Sequence, residues 1–113
     1  MAYTCYQKAT RALAALAHAL ATHHQVTEHL LTEAHRSIGS PLADPAYLPS
    51  VAARAWRWAP EMHEIADSLT EAGLPPQVAE ATAEVLRRWQ SNKDDWGISV
   101  ADVLRHLAQA PTA

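Results

Sequence analysis

The chain has no phenylalanine, one cysteine and three glycines in 113 residues, and no long uninterrupted apolar run. Each shortage excludes something. A lone Cys5 cannot close an internal disulfide, which places the expected compartment in a reducing cytoplasm. So few glycines leave no Gly-rich phosphate loop and no dinucleotide-binding fingerprint. Without an apolar stretch of about 20 residues, no membrane span is expected. A formal net charge of −3 and no clustered basic face argue against nucleic acid as a partner. No serine sits in a nucleophile-elbow context, and no segment alternates as a strand would.

What is present is alanine and helical period. The hydrophobic fraction is 49%, much of it alanine, which favours close helix packing but buries little area per residue. Such a core gains from a second surface, so an oligomer is expected. The length suits a single helical domain over residues 1–113, the last few residues forming a tail. Lys8 and Arg11 ahead of an Ala/Leu run imitate a signal peptide. His18 interrupts the run, however, and Leu13, Leu16 and Leu20 share one helical face.

The pattern predicts an all-α bundle of five or six helices. A first helix spans about 2–21 and ends in Thr22-His23-His24-Gln25. Thr27 caps a second, with Glu28 in its first turn and Leu30, Leu31, Ala34 and Ile38 on its period. Gly39, Pro41, Pro45 and Pro49 break the chain over 39–49. A third helix starts near Pro49 or Ser50, with a kink or restart expected at Pro60 and Gly73 as its C-terminal cap. A fourth, about 77–90, buries Val78, Ala81, Val85, Leu86 and Trp89. Ser99 caps a last helix that carries Val100, Val103, Leu104 and Leu107 inward.

Chemistry concentrates between residues 54 and 64. Glu61, His63 and Glu64 are the candidate acid–base groups, although His63 points roughly 200° away from Glu61 on an ideal helix. Arg54, Trp56, Arg57 and Trp58 are candidate substrate contacts, since tryptophan, arginine and carboxylate together describe a small-molecule pocket. The competing reading makes Glu61 and Glu64 favourable charges at a helix start, paired with Arg54 or Arg57 on the surface. Seven histidines raise the question of metal, but pairs such as His29/Glu33 and His63/Asp67 supply two ligands where zinc needs three or four. No metal and no cofactor are expected. Cys5, on an apolar helix with no histidine near it in sequence, is expected to act as a small buried hydrophobe.

Met1-Ala2-Tyr3 and its Ala/Leu helix, Arg54-Ala55-Trp56-Arg57-Trp58, Glu61-Met62, Glu64-Ile65-Ala66, Ala72-Gly73-Leu74-Pro75 and Ala83-Glu84-Val85 carry a resemblance. Together they resemble the C-terminal helical domain of the 6-phosphogluconate dehydrogenase and β-hydroxyacid dehydrogenase superfamily, in the short form of a poorly characterised bacterial branch. The resemblance implies a helical domain that contributes substrate contacts and a dimer interface beside an NAD(P)-binding Rossmann domain, which makes the expected oligomer a homodimer. It places the family's catalytic lysine immediately ahead of Met1, the next-turn position at Thr4, and a later Lys-Asp pair at Glu61-Met62. Tyr3 and Thr4 thus join the candidate substrate contacts. Lys8, about 12 Å along the helix from the missing lysine, does not replace it.

The expectation is a helical domain that binds a small organic molecule in a dimeric cleft. Its candidate reaction is a cofactor-independent, non-redox step of lyase or isomerase type (cyclisation, dehydration or isomerisation) in specialised metabolism. The alternative is a non-catalytic substrate-binding or dimerisation subunit for a separately encoded Rossmann-domain dehydrogenase, or a fragment of one that begins at an internal methionine.

Overall fold

A computed structural model describes residues 2–36 and 44–110; for Ala2, Thr4 and Cys5 it describes the backbone alone. All regular structure among the described residues is helical. The helices are α1 (Ala2–His23), α2 (Thr27–Arg36), α3 (Leu48–Glu71), α4 (Gln77–Arg87) and α5 (Val100–Leu107), with 3₁₀ turns at Pro45–Tyr47 and Gln90–Asn92. They fall into two compact units. One comprises Met1–Ile38 with Ser68–Pro75, the other Gly39–Asp67 with Pro76–Ala113.

In the first unit α1 packs on α2. The polar cluster ends α1 through a left-handed residue: Gln25 has φ 59°, its N–H reaches the Thr22 carbonyl at 3.1 Å, and the Val26 N–H reaches that of Ala21 at 2.8 Å. This paired closure satisfies carbonyls that the helix end would otherwise leave open. Thr27 is the first residue of α2 rather than its cap; its hydroxyl lies 3.3 Å from that of Thr22. The same closure recurs after α3. Gly73 takes φ 75°, with Gly73 N–H on Thr70 and Leu74 N–H on Leu69, so the cap expected at Gly73 is present. Along α1 the expected stripe is only partly covered: Leu16 and Leu20 are half-buried and Leu13 is 48% exposed. On α2, Leu30 is half-buried and Leu31 is exposed. Ile38, Gly39 and Pro41 lie outside the described residues, as does the side chain of Cys5.

The second unit owes its core to alanine. Ala52, Ala55 and Ala59 recur along one face of α3 and pack with Leu86, Trp89, Ile98 and Val103. Their small side chains make room for Trp89, whose ring alone removes roughly 200 Å² from water, worth about 5 kcal/mol. Its indole Nε1–H donates to the Val103 carbonyl at 2.9 Å, so its polar atom is satisfied in the core. The α4 face differs from the expectation. Ala79, Ala83, Leu86 and Trp89 are buried, while Val85 and Ala81 are exposed and Val78 is half-buried. The buried face is turned by about one residue, roughly 100°, because alanines at 79 and 83 permit closer approach than valines would.

Pro60 does not stop α3, which continues through it to Glu71. The ring removes the one amide that would have bonded the Trp56 carbonyl, and the flanking turns hold the helix. Ser99 caps α5 as expected, its hydroxyl accepting the Asp102 N–H at 3.1 Å. Val103 is fully buried and Val100 and Leu107 half-buried, but Leu104, expected inside, is exposed. Asn92, a buried polar residue, accepts from His106 Nδ1–H at 2.9 Å, while Arg105 Nη2 donates to His106 Nε2 at 3.3 Å.

Candidate functional site

The candidate residues of α3 lie in the second unit and divide by helix geometry. Trp56 and Trp58, two positions apart, point roughly 200° from one another, and the structure gives them separate companions. Arg54 stands over the Trp58 ring at 4.6 Å, with Trp96 at 5.9 Å and Tyr47 at 6.0 Å. Its Nε donates to the Ser50 carbonyl at 3.0 Å, and its Nη2 lies 3.3 Å from Ser50 Oγ and 3.4 Å from Tyr47 Oη. The guanidinium is thus held among three aromatic rings, an arrangement that stabilises a cation by stacking. It ties the 3₁₀ turn, α3 and the loop after α4 into one patch. The surface pairing of Arg54 with Glu61 or Glu64 is replaced by this one.

Trp56 faces the other way. It is 39% exposed and borders a groove of about 420 Å³, with Ala55, Ala59, Pro60 and His63 from α3 and Arg87 and Gln90 from the end of α4 and beyond. Ala55, Ala59 and Pro60 add little bulk to the lining between Trp56 and His63. Lys93 Nζ sits 4.2 Å from the centre of the Trp56 ring. The loop that carries Lys93 is fixed on α3 by Asp94, which adopts φ 60° and donates its N–H to the Ala53 carbonyl at 3.0 Å. Arg87 Nη1 is 3.0 Å from Glu84 Oε1.

A second groove, about 540 Å³, also runs between α3 and α4 and carries the opposite charge: Asp67, Glu80 and Glu84 with Ala66, Gln77 and Ala81. His63 lines both grooves. Of the three acid–base candidates, all exposed, His63 lines these two grooves and Glu61 and Glu64 line neither. Arg57 is likewise exposed. Tyr3 is exposed on α1 in the first unit, and Thr4 lies outside the described side chains.

His29 and Glu33 do not form a ligand pair; Glu33 meets Arg36 at 3.4 Å on the surface. Among the described residues, no group of three or more histidine, cysteine or acidic side chains could hold a metal ion. No described helix is long and apolar enough to cross a membrane. One carboxyl is electrostatically distinct. Asp102 is held below its ordinary value, first by its hydrogen bond to Arg105 (3.0 Å to Nη2) and next by that residue's charge.

Lys93, Arg87 and Gln90 were not among the residues that the sequence singled out. Lys93 stands in a polar connection with two aspartates, where no local pattern distinguishes it from a solvated charge. Arg87 and Gln90 sit at a helix end whose final turn only the fold places beside Trp56.

No curated protein and no solved structure matches the chain significantly. A family model does, over residues 21–89, more than half of the chain, and its description is a domain of unknown function, DUF1932. That domain is the C-terminal helical domain of the NAD(P)-binding 6-phosphogluconate dehydrogenase and β-hydroxyacid dehydrogenase-like family, and these 113 residues hold no Rossmann domain beside it. The chain therefore belongs to the DUF1932 family of dehydrogenase-associated helical domains.

Proposed function

We propose that this helical domain binds a small organic molecule in the groove between Trp56 and His63, and does not act as a dehydrogenase by itself. The observation that carries this reading is the groove: a concave, mainly apolar surface of about 420 Å³ with one indole wall and a few polar groups. That size and lining are those of small-molecule sites. Within it, His63 is the wall residue whose ring nitrogens suit proton transfer, so a non-redox acid–base step is assigned to His63 rather than to Glu61 or Glu64. The exposed Leu13 and the Ala-rich face of α1 support a homodimer that covers them.

The test is ligand binding followed by two-dimensional NMR of the indole N–H groups. A compound that occupies the groove shifts the Trp56 signal while those of Trp58 and Trp96 stay in place. His63→Gln is expected to keep the helical spectrum and the binding but abolish turnover of a compound that the protein converts. Undiminished turnover would remove His63 from the chemistry.

Family membership favours a second reading, in which the domain serves as a substrate-binding or dimerisation subunit of a separately encoded NAD(P)-dependent protein. Co-purification with a dinucleotide-binding protein supports it, and a homodimer that turns over substrate alone counts against it.

A further inference from the structure

The two grooves along α3 and α4 differ in charge, and the loop residue Lys93 makes that difference specific for the Trp56 groove. No carboxylate lines this groove, and Arg87 and His63 do. Lys93 is not in the lining either, yet its ammonium lies 4.2 Å from the centre of the Trp56 ring. A cation against an aromatic ring draws on the negative face of the quadrupole. With that density engaged, the surface Trp56 offers to the groove disfavours a second cation and accepts an electron-rich or anionic planar group. The placement of Lys93 is built in, because Asp94 is held in a left-handed conformation by its bond to the Ala53 carbonyl. Arg87 already donates Nη1 to Glu84. A guanidinium has five N–H donors in a planar fork, so it can hold Glu84 and a ligand carboxylate together.

We infer that the ligand class of the Trp56 groove is a planar, aromatic-bodied carboxylate, with Lys93 as the residue that selects anion over cation and Arg87 as the carboxylate's partner. This rests on the proposed groove function and adds the charge and shape of its ligand. The neighbouring groove with Asp67, Glu80 and Glu84 repels the same compound, which confines it to the Trp56 side.

The experiment is calorimetric titration of the full chain with three probes of one shape: 2-naphthoate, 2-naphthol and 2-naphthylmethylammonium. The expected order is carboxylate tightest and ammonium weakest. Lys93→Met is expected to weaken 2-naphthoate about three-fold, the Coulomb attraction of one exposed ammonium roughly 7 Å from the carboxylate in water, and to leave 2-naphthol unchanged. Equal binding of naphthoate and naphthol, or a Lys93→Met variant that treats the probes as the parent does, overturns the anion assignment and leaves the groove function standing. If no probe binds, or if binding survives Trp56→Leu unchanged, the groove function falls together with the inference.

Discussion

Gln25 holds a backbone conformation that glycine adopts without penalty and glutamine does not. Its side chain is exposed, so nothing about the glutamine itself requires it there. Gln25→Gly should therefore stabilise the protein by about 0.5–1 kcal/mol, read as a higher urea midpoint with an unchanged slope. The structurally equivalent Gly73→Ala should cost about 1 kcal/mol or more, since no other residue crowds the site and backbone strain alone sets the cost. At Asp102 the argument is electrostatic. Its carboxyl titrates below the usual aspartate value because of Arg105, so its contribution to stability is complete above the unfolded-state value near 4. That contribution disappears as pH falls through the lower, folded value. Carbon-detected NMR titration should find a depressed midpoint, and Arg105→Ala should raise it toward that of an ordinary aspartate.

At the scale of elements, the helix interior at Pro60 invites a clear substitution. Pro60→Ala restores the amide that the Trp56 carbonyl lacks and should raise stability by about 1–3 kcal/mol, provided the packing of Ala59 is kept. A thermal melt checks it, and a lower midpoint would mean that the proline ring packs better than the missing bond costs. In the core, Val103→Ala should cost about 2 kcal/mol, from two lost methyl groups with no exposed surface to relax into. Helix existence and order, and the caps at Ser99 and Gly73, were legible in the sequence because capping chemistry is local, whereas Thr27 proved to be the first residue of α2 rather than its cap. Which face of α4 turns inward was not legible. Periodicity weights Val78 and Val85 by their hydrophobicity, whereas close packing selected Ala79 and Ala83 by their small size. The same reason divides the candidate site. The spacing of Trp56, Trp58 and His63 identified residues on α3, while Lys93, Arg87 and Trp96 came to them by tertiary approach.

For the whole molecule, the question is what covers α1. If a second copy does so, sedimentation should give a dimer, and Leu13→Glu should yield a monomer that keeps its helical spectrum. A parent chain that sediments as a monomer would refute this. Membership of a dehydrogenase-associated family fixes the lineage of the fold, whereas the groove chemistry has to be argued from Trp56, His63 and their neighbours. One arrangement of residues has a practical result for anyone following the folding of this protein. Trp56, Trp58, Trp89 and Trp96 are all in the second compact unit, and the first unit contains none. Indole emission therefore reports directly on the second unit, to which all four rings belong. Circular dichroism in the far ultraviolet counts both units. A melt in which ellipticity declines before the emission spectrum moves would reveal the first unit coming apart while the Trp89 core stays closed.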